Sequence, residues 1–286
     1  MDNEYNVYED INTRTGGELY LGIVGPVRTG KSTFIKNFME MMVIPEMQDE
    51  AEKMRTRDEL PQSSDGKTIM TTTSPKKILI VNGAATFNGH GGTLNMHYSE
   101  FAAEVRLIDC VGFVVKDAVG YREEEKERMV KTPWYDEEIP FTKAAQIGTS
   151  KVIREHSNIG IIVTTDGSFT ELSREQYVEG EEKTVAECKA AGKPTIMILN
   201  TRVPHQESTR ELAGKLQEKY GISVLVMDCK NLKKDDVFFM METILADFPI
   251  GQIQFYFPKW VEFLDRDHWL KKDLMTKCLE MLKNMH

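Results

Sequence analysis

The sequence predicts an α/β fold, a mostly parallel sheet with helices on both faces. Three observations predict it. Short apolar runs rich in Ile and Val recur along the chain and alternate with amphipathic or charged stretches of helical length. Residues 25–32 read Gly-Pro-Val-Arg-Thr-Gly-Lys-Ser, a glycine-bearing loop between one such run and a helical stretch. Another run ends in Leu107-Ile108-Asp109 and leads into Cys110-Val111-Gly112. Parallel strands are buried on both faces, so they read as continuous apolar runs.

The elements follow in order. Residues 19–24 form a buried strand and 31–42 a helix. A polar stretch spans 45–77. Residues 77–82 read as a strand, the glycine-rich 83–92 as a flexible turn, and 102–109 as the next strand. A charged and then proline-punctuated insertion occupies 114–141, and helical spacing resumes over 142–155. Residues 158–164, 195–199 and 223–227 are further strands. The helices between and after them cover 172–191, closed by Gly192 and Pro194, then 206–219 and 236–248. After Pro249 the composition changes: 253–257 alternates like an edge strand, and 258–285 is amphipathic helix. This divides the chain into a domain over 1–249, with insertions near 45–104 and 114–141, and the start of a second α/β segment over 250–286. The 286 residues read as the front part of a longer protein.

Lys and Arg total 36 against 45 Asp and Glu, a formal charge of −9, which argues against a nucleic-acid partner. No apolar run approaches a membrane span, and the first 14 residues are polar and acidic, unlike a secretory signal. The four cysteines are scattered with no Cys-x-x-Cys pair, as expected for reduced buried thiols in the cytosol. The sixteen methionines suit adaptable core packing. His90 and His97 have no second ligand cluster beside them, and Glu123 to Glu125 reads as a solvated face.

Residues 25–32 match the Walker A phosphate loop at every position. Gly25 and Gly30 allow the backbone to turn its N–H groups inward, with Pro26, Val27, Arg28 and Thr29 completing the cradle. The positive end of the following helix adds to the field. Lys31 reaches the β- and γ-phosphates, and the Ser32 hydroxyl ligates Mg²⁺. Asp109-Cys110-Val111-Gly112 fits the Asp-x-x-Gly pattern of phosphate-loop GTPases: Asp109 holds Mg²⁺ through water and the Gly112 N–H senses the γ-phosphate. In such proteins a loop threonine contacts both metal and γ-phosphate. Thr71 and Thr72 are the candidates, Thr72 as metal ligand, ahead of Thr68 and Thr73; ordinary strand threonines are the alternative. Together Lys31, Asp109, Thr71 and Thr72 make the expected catalytic set. Phe113 stands where a water-orienting glutamine is expected, so another residue positions the water or turnover is slow. Arg28 either lies beside the phosphates as an arginine finger in cis or is a surface residue.

A guanine-specific site carries Asn-Lys-x-Asp after this kind of strand. Here Asn200-Thr201-Arg202-Val203 follows 195–199. The Val203 side chain accepts no hydrogen bond, so guanine's donors would go unpaired at about 1–3 kcal/mol each. ATP is therefore the expected substrate, with Asn200 and Arg202 nearest the base.

These strings resemble the stage IV sporulation protein A family, spore coat morphogenetic ATPases with a GTPase-derived phosphate-loop domain. The resemblance rests on Thr15-Gly16-Gly17-Glu18-Leu19-Tyr20-Leu21-Gly22 running into the loop, Asp58-Glu59-Leu60-Pro61-Gln62-Ser63, Lys67-Thr68-Ile69-Met70-Thr71-Thr72, Asp109-Cys110-Val111-Gly112, Thr132-Pro133-Trp134-Tyr135 and Thr164-Thr165-Asp166-Gly167. It implies a mother-cell cytoplasmic ATPase that uses ATP and Mg²⁺. It also implies self-polymerisation on the forespore surface into the basement layer of the coat, and contact with other coat proteins. The family meets the forespore membrane through a small amphipathic peptide, by a C-terminal region expected to be absent from this chain. Two rival functions stay open on the residues alone: a GTPase-type switch, and a nucleotide-binding scaffold with little turnover.

Overall fold

The computed structural model describes residues 18–47, 49–58, 60, 76–88, 93–115, 122–123, 126–127, 129–132, 135–246 and 257–284. Strand β1 (Glu18–Val24) enters the phosphate loop and helix α1 (Lys31–Phe38) leaves it. The helix expected to reach residue 42 loosens instead into a π turn at Met39–Val43 and a 3-10 turn at Ile44–Glu46. Pro45 lacks the N–H that another α turn would need. Helix α2 (Glu50–Asp58) lies in the stretch read only as polar.

Strands β2 (Lys76–Asn88) and β3 (Thr93–Asp109) form one long antiparallel ribbon. This corrects the expectation of a flexible turn over 83–92. Residues 83–88 belong to β2, with Gly83 paired to Tyr98. The ladder uses only backbone groups, so a glycine is tolerated within it. Two short antiparallel pairs follow, β4 (Arg122–Glu123) with β5 (Lys126–Glu127) and β6 (Met129–Thr132) with β7 (Tyr135–Pro140). Then come α3 (Phe141–Lys151), β8 (Ile159–Thr165), α4 (Arg174–Ala191), β9 (Thr195–Asn200), α5 (Glu207–Tyr220), β10 (Val224–Met227) and α6 (Lys234–Ala246).

Six strands make the central sheet, in the order β10-β9-β8-β1-β3-β2. All neighbours are parallel except β2, which pairs antiparallel at the edge. Side chains alternate along β1. Leu19, Leu21 and Ile23 join one core cluster with Phe34 and Phe38 of α1 and Val237, Met240 and Met241 of α6. Tyr20 and Val24 face a second cluster with Val185 and Cys188 of α4 and Ala213 and Leu216 of α5. Helices therefore cover both faces, and every residue of β8 is buried. Each such aliphatic side chain contributes about 1.5–3 kcal/mol by leaving water.

One polar cluster is built into the second face. Glu181 of α4 is fully buried and accepts hydrogen bonds from Thr164 Oγ1 at 2.5 Å, Arg174 at 2.7 Å and Tyr220 Oη at 2.8 Å. It ties α4 to β8 and α5. Burial, with Glu181 beside it, pushes the Tyr220 hydroxyl up to about 12.

The chain divides into two compact units, Met1–Phe248 and Pro249–His286. The second holds α7 (Lys259–Glu262) and α8 (Trp269–Asn284), where the spacing suggested one helix over 258–285. The break is held locally: His268 Nδ1 accepts the Leu270 N–H at 3.2 Å, and Lys271 Nζ donates to the Leu264 carbonyl at 3.0 Å. Trp260, Phe263 and Trp269 of this unit are exposed. No helix among the described residues is long and apolar enough to cross a membrane.

Candidate nucleotide site

The carboxyl ends of β1, β3, β8, β9 and β10 open on the same edge of the sheet, because these strands are mutually parallel. The chain runs from β1 to β3 on one side and returns to β8 on the other. This reversal is where open α/β sheets bind ligands. The phosphate loop occupies it.

Lys31 is buried, and its Nζ donates to the carbonyls of Gly25 at 3.2 Å and Pro26 at 2.7 Å. Burial depresses its pKa, and the nearby Cys110 and Asp109 work in the opposite direction. Thr29 Oγ1 braces the loop from within, donating to the Pro26 carbonyl at 3.0 Å. Arg28 is exposed and sits at φ 63°, the sole non-glycine residue with positive φ among the described residues. Holding an L-residue there costs about 1–2 kcal/mol. Helix α4 packs against the loop at Gly180, where an added Cβ would lie 3.3 Å from Pro26 and 3.7 Å from Phe113.

Ser32 is the second residue of α1, and its hydroxyl donates to Asp109 Oδ2 at 3.0 Å. Asp109 closes β3 beside β1 and is 7 % exposed. Its other oxygen, Oδ1, is buried and accepts no hydrogen bond from the described residues. Burial raises the Asp109 pKa, while Lys31 and the Ser32 hydroxyl pull it down. A buried, unpaired carboxylate oxygen beside a serine hydroxyl is the donor set a hard divalent cation takes. The residues present therefore fit Mg²⁺.

Gly112 adopts φ 86°, and a Cβ there would meet the Gly25 carbonyl at 2.1 Å and Lys31 Nζ at 2.6 Å. Only glycine lets the segment after Asp109 lie against the phosphate loop so closely. The contact is completed by the Val27 N–H, which donates to the Phe113 carbonyl at 2.9 Å. The Phe113 side chain is buried. Cys110 is inert: burial pushes its thiol up to about 11.

Asn200, at the end of β9, is buried, and its amide is engaged on both sides. Nδ2 donates to the Thr29 carbonyl at 2.9 Å and Oδ1 accepts the Cys229 N–H at 3.0 Å. Arg202 is exposed, and its backbone N–H donates to Ser168 Oγ at 3.0 Å. Val203 is 41 % exposed, and its N–H donates to Thr201 Oγ1 at 3.1 Å. Thr201 is fully buried and donates to Asp166 Oδ2 at 2.5 Å.

The structure thus brings together residues 25–32, Asp109, Gly112 and Asn200. Thr71 and Thr72 lie outside the described residues. Residue patterns do not single out Asp166 and Ser168, or Phe169, whose ring Cζ lies 3.9 Å from the place a Cβ would take on Gly30, as part of this edge. The string Thr164-Thr165-Asp166-Gly167 was the one signal pointing there.

Residues 1–249 match the family model described as stage IV sporulation protein A, ATPase domain. The chain is similar to stage IV sporulation protein A of Clostridioides difficile (strain 630), 48 % identical over 271 residues that cover 95 % of this chain and 53 % of that protein. The Bacillus anthracis protein of the same name is 44 % identical over 280 residues, covering 98 % and 55 %. The Bacillus subtilis (strain 168) protein is 44 % identical over 281 residues, with the same coverage. The chain spans about half the length of the curated relatives it matches.

Proposed function

The chain belongs to the stage IV sporulation protein A family and carries its ATPase domain, and from that premise we propose that it is a Mg²⁺-dependent ATP hydrolase whose turnover drives self-assembly into the basement layer of the spore coat. The observation that carries the reading is the Ser32–Asp109 pair, with Asp109 Oδ1 left unpaired and Lys31 close by.

Ser32 and Asp109 would hold the metal, with Thr72 as a further ligand. Mg²⁺ held there would neutralise phosphate oxygens and polarise the bond that breaks. Lys31 exchanges its loop carbonyl partners for β- and γ-phosphate oxygens and steadies the transferred charge. The loop N–H groups within 25–32, apart from Pro26, which has none, and Val27, whose N–H is held by the Phe113 carbonyl, orient the phosphates, with Pro26, Val27 and Thr29 setting the loop's shape. Arg28, held in a strained backbone at the rim, adds positive charge where negative charge builds up. Gly112 and the Thr71/Thr72 segment report the γ-phosphate, and its loss shifts both, altering a self-association surface. Asn200 and Arg202 lie nearest the base. Val203 supports ATP over GTP, because it offers no acceptor to guanine's N–H donors.

The polymer would form in the mother-cell cytoplasm at the forespore surface, where other coat proteins join it. The small amphipathic membrane peptide would be met by a region outside this chain. A slow-turnover scaffold is the second reading. It is favoured by Phe113, whose buried side chain stands where a glutamine would orient water.

Phosphate release from Mg²⁺-ATP tests the proposal. Wild-type chain should turn ATP over and stop when the metal is chelated, and Lys31→Ala should abolish nucleotide binding. A Lys31→Ala variant that hydrolyses ATP at the wild-type rate would falsify the site.

A further inference from the structure

We propose that Phe169 is the stacking platform for the purine base. The assignment rests on the nucleotide site proposed above and adds a binding residue to it. In a guanine site the lysine of Asn-Lys-x-Asp extends a long side chain beside the base. Its place is taken here by Thr201, which is short, fully buried and turned back to donate to Asp166 Oδ2. The loop after β8 is thereby stitched to the loop after β9.

The stitching continues on both sides of Phe169. Upstream, Thr165 Oγ1 accepts the Gly167 N–H at 3.0 Å, Asp166 Oδ1 accepts the Ser168 N–H at 2.9 Å, and Ser168 Oγ accepts the Arg202 N–H. Downstream, Thr170 Oγ1 donates to the Leu172 carbonyl at 3.0 Å and accepts from Tyr177 Oη at 3.0 Å. The ring between these anchors is half-buried. Its Cζ lies 3.9 Å from the place a Cβ would take on Gly30, the residue that caps α1; Asn200 Nδ2 lies 2.3 Å from the same point. A nucleotide with its phosphates on residues 25–32 carries its base past this corner. An aromatic ring fixed there offers a flat apolar surface without reading hydrogen bonds. Phe169 therefore supplies purine affinity, and the choice between adenine and guanine is left to the loop at Val203.

Paired titrations with Mg²⁺-ATP and Mg²⁺-tripolyphosphate separate the base from the phosphates. Phe169→Ala should bind ATP about tenfold more weakly and tripolyphosphate as wild type does. Phe169→Trp should keep ATP affinity and show a fluorescence change with ATP, absent with tripolyphosphate and absent from wild type. The assignment is overturned if Phe169→Ala binds ATP normally, or loses ATP and tripolyphosphate to the same degree, which would mark a purely structural ring. Wild-type chain that binds neither ligand would instead sink the nucleotide site itself, and this assignment with it.

Discussion

The side-chain amide of Asn200 donates to the carbonyl of Thr29 at 2.9 Å, joining segments 171 residues apart. With its Oδ1 on the Cys229 N–H, one residue holds the phosphate loop, the end of β9 and the turn after β10 in register. Asn200→Ala should leave two buried backbone groups unpaired and cost about 2–3 kcal/mol in chemical denaturation. Asn200→Asp should not restore stability, because it turns a carboxylate oxygen toward the Thr29 carbonyl. A melting curve unchanged by either substitution would contradict this tether.

Asp109 is expected to act through its charge. Asp109→Asn should lower Mg²⁺-dependent hydrolysis on the order of 10²-fold while changing ATP affinity much less. Steady-state turnover and equilibrium binding of ATP, measured on the same preparation, check the split. Equal loss of both would mean that Asp109 mainly shapes the loop.

Arg28 sits at φ 63° in a loop where glycine would be unstrained. Arg28→Gly should therefore stabilise the chain by about 1 kcal/mol and slow turnover. Arg28→Lys should retain the strain and only part of the activity, since an ammonium lacks the planar fork. Thermal unfolding and phosphate release together decide between a charge that serves the reaction and an ornament of the surface. In the latter case Arg28→Gly gains stability and loses nothing.

Glu181 is the polar joint between α4, β8 and α5. Glu181→Ala should cost about 3 kcal/mol, because Arg174 and two hydroxyls lose a buried partner at once. Urea unfolding measures it. Since α4 packs on Pro26 and Phe113, nucleotide affinity should weaken as well.

Local physics made much of this legible in the sequence. Short apolar runs marked β1, β8 and β9, and the motif residues from Gly25 to Ser32 and at Asp109 stand where their strands end. What failed to show was non-local or backbone-borne. Gly83 reads as a turn in isolation, yet the ladder to β3 carries it within a strand. Helical spacing over 258–285 gives no sign of the break that His268 and Lys271 secure. The motif comparison exposed the missing guanine acceptor at Val203. It could not show that Thr201 turns to Asp166, a partner 35 residues earlier whose proximity depends on β8 lying beside β9.

Calorimetric titration of the chain with ATP and with GTP, each with Mg²⁺, tests the central claim most directly. ATP should bind, and GTP should bind at least about tenfold more weakly because guanine's donors find no acceptor at Val203. Tight GTP binding with no measurable affinity for ATP would contradict it.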